Sequence, residues 1–172
     1  MSEDVYRRLQ QKLDTHPVGF PAAADGSDIR LLKRIYTSEQ AELVSRLDWR
    51  FETARDILPR VPDLAGSAEE LSGKLHAVLE RGGLQYRRRG EEMWAIAPLV
   101  VGIYEYQVGR LTNAFLDDFR AYRQSEKTTP PPPARPGQMR VIPIEESVTP
   151  DMHIATHEQI ARLVDAAGES IA

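Results

Sequence analysis

The sequence predicts a mainly α-helical protein with one small β-hairpin, arranged as a winged helix-turn-helix with extra helices at its N- and C-terminal ends. Three observations predict it. Ser67-Ala68-Glu69-Glu70 has the form of a capping box, in which the serine hydroxyl accepts from the backbone N–H of Glu70 and the Glu70 carboxylate reaches back to that of Ser67. Behind it Leu71, Leu75 and Val78 recur at helical spacing with Leu79 beside them, and Gly82 or Gly83 supplies the left-handed residue that ends such a helix. Leu84, Tyr86 and Arg88 then alternate with Gln85 and Arg87, and Trp94 and Ile96 alternate again beyond the turn Arg88-Arg89-Gly90-Glu91, which is hairpin patterning. Helix and wing together close a winged-helix domain over residues 27–97.

Residues 1–26 read as a helix and loop. Ser2 caps a helix in which Val5, Tyr6, Leu9 and Leu13 share a face while Arg7, Arg8 and Lys12 meet water. His16-Pro17-Val18-Gly19-Phe20-Pro21 ends it, because each proline removes a donor and restricts its predecessor. Val18 and Phe20 are the expected anchors of this loop. Asp25-Gly26-Ser27 is a turn, and Ile29, Leu32 and Ile35 or Tyr36 mark a short helix. Thr37-Ser38-Glu39-Gln40 is a second capping box, opening a helix through Ala41, Val44 and Leu47 with Glu39, Glu42 and Arg46 on its polar face. Trp49-Arg50-Phe51 reads as a short strand alongside the hairpin. A further helix near Glu52 to Leu58 ends at Pro59, and Leu64 plugs the turn before Ser67, completing the helix-turn-helix order.

Residues 98–124 read as packing and dimerisation helices. Pro98 takes a first helical position, and Leu99, Val100, Ile103, Tyr104, Tyr106 and Val108 run almost all round the helix, which demands burial and suggests a homodimer. Thr112 caps the next helix, aligning Phe115, Phe119 and Tyr122 inward with Asp117, Asp118, Arg120 and Arg123 outward. Residues 125–137 are a proline-rich linker. Residues 138–172 are a docked tail: Met139 to Ile144 forms an edge strand or strap, and the capping box Thr156-His157-Glu158-Gln159 opens a helix with Ile160, Leu163 and Val164 on one face.

With 172 residues and 41% hydrophobic content, the chain can bury one core with appendages. A net charge of −4 argues against a general polyanion binder. The absence of cysteine excludes disulfides, thiolate zinc sites and cysteine-ligated clusters within this chain. The charged N-terminus has no apolar signal region and no stretch approaches the roughly 20 apolar residues of a membrane span, so a cytoplasmic protein without membrane contact is expected.

The candidate nucleic-acid or partner contacts are Lys74, His76 and Arg81 on the last helix and Arg87, Arg88 and Arg89 at the hairpin tip. Glu69, Glu70 and Glu80 share the helix face and repel phosphate, while Glu91 and Glu92 can pair across the hairpin and neutralise the tip, so a protein partner is favoured over DNA. His153 and His157 are four apart, yet Thr156 caps the helix between them, and with Asp151 and Glu158 they read as solvated side chains and no metal site. The aromatic residues Tyr104, Tyr106, Phe115, Phe119 and Tyr122 read as core or subunit interface. A P-loop, a nucleophile elbow, His-Glu-x-x-His and a dinucleotide fingerprint are all missing, and carboxylate pairs such as Asp117-Asp118 diverge on a helix. Catalytic and cofactor-binding residues are therefore not assigned, and an enzyme is not expected.

Four stretches taken together carry a resemblance: Leu31-Leu32-Lys33-Arg34; Gly82-Gly83-Leu84; Val101-Gly102-Ile103-Tyr104-Glu105-Tyr106-Gln107 with Arg110-Leu111; and Arg140-Val141-Ile142-Pro143-Ile144-Glu145-Glu146-Ser147-Val148. In order and spacing they resemble a bacterial family of ferredoxin-like proteins with an N-terminal winged-helix region and C-terminal cysteine motifs for 4Fe-4S clusters. In that family a segment like Ile160-Ala161-Arg162-Leu163-Val164 leads into a Cys-x-Cys stretch. The resemblance implies that this chain is the amino-terminal part of a longer iron–sulfur protein, with electron transfer in the cysteine-bearing part. The present region would then serve dimerisation, contact with a protein partner or downstream cluster domain, or regulation.

Overall fold

Hydroxyl caps set most of the helix starts. In the computed structural model, which describes residues 2–128 and 156–167, the Thr37 hydroxyl accepts from the Gln40 N–H while the Gln40 side chain accepts from that of Thr37, opening a helix at Ser38. The helices of the first compact unit, residues 1–138, are α1 (Ser2–Asp14), α2 (Ser27–Ile35), α3 (Ser38–Ser45), α4 (Ala54–Ile57, continued by a tighter turn Leu58–Arg60), α5 (Ala68–Leu79) and α6 (Asn113–Thr128). Between α5 and α6 lies an antiparallel hairpin, β1 (Leu84–Arg89) and β2 (Glu91–Ile96), in which Leu84 faces Ile96, Tyr86 faces Trp94 and Arg89 faces Glu91. The chain is thus mainly helical with a two-stranded sheet.

The core is continuous from α1 to α6. Tyr6, Leu9 and Leu13 of α1 are buried with Ile29, Leu32 and Ile35 of α2, Val44 of α3, Leu71, Leu75 and Val78 of α5, Trp94 and Ile96 of β2, and Phe115 and Tyr122 of α6. Both Ile35 and Tyr36 are buried, so the two alternatives for the end of α2 are both anchors. Phe20 is fully buried and stacks on Tyr122 with ring centroids 4.8 Å apart, and the Tyr122 hydroxyl donates to the carbonyl of Pro21 (3.3 Å). Residues 1–26 and the helix after residue 112 therefore complete the same core as residues 27–97.

Several expectations are corrected. Residues 49–51 are not a strand: pairing is confined to Glu52, whose N–H and carbonyl bond to Trp94 (3.0 and 2.9 Å), and to the Asp48 carbonyl, which accepts from Ile96 (3.1 Å). The Asp48 carboxylate accepts from the Arg50 N–H and bends the chain between these points, and Trp49 packs against the His16 ring at a tilt of 44° with centroids 4.5 Å apart. The following helix starts at Ala54, capped by reciprocal bonds between Thr53 and Asp56.

The apolar helix expected after Pro98 does not form. Val100 and Val101 are extended, Leu99–Ile103 is an irregular turn, and Glu105–Gln107 is a single tight turn. Two β-branched residues followed by glycine have weak helical preference, and only Leu99, Gly102, Ile103 and Gln107 of residues 99–108 are buried. Val101 and Val108 are 65% and 74% exposed.

In α6 the Thr112 hydroxyl accepts from the Phe115 N–H (3.2 Å). Asp118 does not face outward: it is 8% exposed and accepts from both Arg30 and Arg34 of α2. The helix also runs through Ser125 to Thr128, where the linker was expected to begin, because this stretch holds no proline before Pro130 and keeps every N–H donor.

The second unit, residues 139–172, contributes α7 (His157–Ala167), whose start shows the predicted Thr156/Gln159 capping box. Ile160 and Leu163 on it are exposed. The proline run, the Met139 to Ile144 segment, Asp151 and His153 lie outside the described residues. Among the described residues no helix is long and apolar enough to cross a membrane.

Candidate functional site

Helix α5 and the hairpin meet through the carboxylate of Glu92, which turns to the helix and not to the tip arginines across the hairpin as the sequence predicts. The Ser67 hydroxyl accepts from the Glu70 N–H (3.2 Å), but the Glu70 carboxylate reaches one residue further than a standard capping box and accepts from Gly66 (2.8 Å). At the other end Gly82 takes the left-handed conformation (φ 72°), its N–H donating to Leu79 and that of Gly83 to Val78. This stop aims β1 back along α5. Glu92 on β2 consequently lies over the helix and accepts from Ser72 (3.3 Å) and from the Tyr86 hydroxyl (3.0 Å), and both its oxygens sit 3.2 Å from Nε2 of His76. The hydrogen bonds from His76 and then Tyr86 hold the Glu92 carboxyl below its ordinary pKa. Desolvation, followed by the Glu92 contact, raises that of Tyr86.

The six candidate contacts therefore separate. His76 is inside the hairpin joint, its ring 5.7 Å from those of Tyr86 and Trp94. Lys74 is tied to Glu39 of α3 (2.7 Å) and to Glu70 (3.6 Å), and the Glu39 hydrogen bond is the main cause of its raised pKa. Arg81 donates to the carbonyls of Ile35 (2.5 Å) and Arg34 (3.1 Å), where a cation meets the negative end of α2. The helix cations are thus engaged within the fold. At the tip Arg87 lies 4.2 Å over the Phe51 ring. Arg88 and Arg89 face Glu92 and Glu91 in register, yet among the described residues no ion pair joins the tip arginines to these acids, since Glu92 is turned to α5. The tip stays cationic and exposed.

A second group of residues, Arg81 apart, escapes sequence reasoning. The turn after the hairpin lies against the end of α5, with the Gln107 side chain donating to the Arg81 carbonyl (3.0 Å). A Cβ on Gly82 would come within 2.7 Å of that same side chain. This contact places Arg110 and Thr112 beside Arg34, Arg81 and Phe115 around a cleft of about 360 Å³. No motif marks it, because its arginines are isolated in sequence. Next to it Tyr106 and Leu111 join Val101 and Val108 as exposed large apolar residues.

The donor set does not suit an iron–sulfur cluster. The chain has no thiolate, and among the described residues no group of three or more histidines and acids is placed to hold a metal ion. Comparison with protein-family models, curated proteins and solved structures found no match.

Proposed function

We propose that residues 27–97 form a winged helix-turn-helix used as a non-catalytic protein-interaction and regulatory module of an iron–sulfur redox protein, the cluster being held by a cysteine-bearing partner domain. The order of α3, the pairing residue Glu52, α4, α5 and the hairpin supports the winged-helix reading. The observation that carries the interaction reading is the exposure of Val101, Tyr106, Val108 and Leu111 immediately after the wing. Exposed apolar residues grouped along one short segment characterise surfaces that meet a protein, and tyrosine is a common interface anchor.

The test is affinity co-purification from the source cell, comparing the full chain with a Val101→Asp/Val108→Asp variant of unchanged melting temperature. The reading expects a cysteine-rich partner, coloured by its cluster, that the variant loses. Equal recovery by both chains overturns it.

A dimeric DNA-binding regulator is the second reading, favoured by Arg88 and Arg89, which are exposed and in no ion pair among the described residues. It expects salt-steepened retardation of genomic fragments, uniformly weakened by Arg88→Ala. The engagement of Lys74, His76 and Arg81 inside the fold supports the protein reading instead.

A further inference from the structure

We propose that the cleft between the ends of α2 and α5 and the start of α6 is a binding site for a phosphate dianion, either inorganic phosphate or the phosphoryl group of a small monoester. The proposal is independent of the interaction reading above. Arg34, Arg81 and Arg110 line the cleft, opposed there by the single carboxylate of Glu80. In a chain of net charge −4 this is a local concentration of cations that composition does not explain. Its volume, about 360 Å³, falls within the roughly 300–1,000 Å³ of small-molecule sites.

Two of the three guanidinium groups are anchored but not neutralised. Arg81 is anchored by Nε and one terminal nitrogen to main-chain carbonyls, and Arg110 by one terminal nitrogen to the carbonyl of Tyr106 (3.2 Å). Neutral carbonyls orient these side chains and leave their charge uncompensated. Arg34 is the exception: its Nε pairs with Asp118, a carboxylate shared with Arg30, which pairs with Asp25 as well, so the uncompensated charge of the cleft comes from Arg81 and Arg110. Each of the three arginines keeps N–H groups not engaged by any described residue. Donors held in place before the ligand arrives cost little ordering on binding, and arginine forks match phosphate oxygens.

Helix α6 adds to the same field. Thr112, its cap, lines the cleft, and its hydroxyl oxygen already accepts from Phe115, leaving its hydrogen to donate. The positive end of a 16-residue helix therefore opens beside the arginines. Phosphate presents more acceptor oxygens to these donors than a carboxylate does.

Calorimetric titration and thermal melting of the full chain test the site, with sodium phosphate and glycerol 3-phosphate compared against sodium chloride and acetate at matched ionic strength. The site expects saturable phosphate binding and a raised melting temperature absent in chloride. Arg110→Ala, which removes one exposed hydrogen bond, should bind about tenfold more weakly. Glu80→Gln, which removes the opposing charge, should bind about threefold more tightly. Tighter binding of the ester identifies a phosphorylated small molecule, and equal or weaker binding identifies inorganic phosphate. No saturable binding, unchanged affinity in Arg110→Ala, or no gain in Glu80→Gln overturns the proposal.

Discussion

The Tyr36 hydroxyl donates to the carbonyl of Gly83 at 2.8 Å, joining the end of α2 to the glycine stop of α5 across 47 residues. The phenol is fully buried, which pushes its pKa far above the ordinary tyrosine value. Tyr36→Phe leaves that carbonyl without a donor and should cost about 1–3 kcal/mol in urea unfolding. Gly83→Ala would bring a Cβ within 2.5 Å of the Tyr36 ring and 2.9 Å of Val78. Overpacking of this kind should cost about 1–3 kcal/mol. The double variant should cost less than the sum, because both changes act on one contact.

Gly82→Ala tests the junction that positions the cleft. The residue has φ 72°, and a Cβ would also come within 2.8 Å of the Tyr106 carbonyl. The left-handed backbone alone should cost roughly 1–2 kcal/mol. Displacement of Gln107 adds to it, so thermal melting should show a larger loss than for Gly90→Ala, where a Cβ meets nothing within 4 Å.

Asp118→Asn should destabilise the fold by about 1–3 kcal/mol, by weakening the attachment of α6 to α2. Burial alone would raise the Asp118 pKa, but the bonds from Arg34 and Arg30 outweigh it and hold the carboxyl below its ordinary value. A depressed folded value means that this stabilisation is present above the unfolded pKa, near 4, and disappears as pH falls through the lower folded value. Acid unfolding followed by circular dichroism should therefore be shallower below pH of about 4 in Asp118→Asn than in the parent.

His16 packs against the Trp49 ring and is partly buried, and this burial lowers its pKa from the ordinary value of 6.5. Its neutral form is the one the fold favours, so the associated stability is present above that ordinary value and is lost as pH falls through the lower folded one. Tryptophan fluorescence should drop with a midpoint below about 6.5, because imidazolium quenches indole. In a Trp94→Phe background, which leaves Trp49 as the remaining tryptophan and removes the indole beside His76, His16→Gln should abolish that transition.

The parts of this fold legible in the sequence are those written within four residues. The hydroxyl caps of Thr37, Ser67, Thr112 and Thr156 form as read, and the alternation from Leu84 to Ile96 yields the observed register. Asp118 shows where local reading fails: nothing near it in sequence discloses that Arg30 and Arg34 will arrive from 84 or more residues away. The stretch after Pro98 fails for another reason, since apolar content suggests a buried helix while Val100, Val101 and Gly102 resist one. The cleft arginines belong to the first kind of failure. Arg34, Arg81 and Arg110 are brought together only when Gln107 closes on the end of α5.

The stacking of Phe20 on Tyr122 has a consequence for synthesis. These rings complete one region of the core from opposite ends of the first unit, and the Tyr122 hydroxyl closes on Pro21 across 101 residues. At translation rates of about 5–20 residues per second, Phe20 leaves the ribosome roughly 5–20 s before its partner. During that interval the nascent chain carries an uncovered aromatic surface next to α1. Release of a finished core depends on α6 emerging, so a message cut short at the hairpin yields a chaperone client and not a smaller version of the domain.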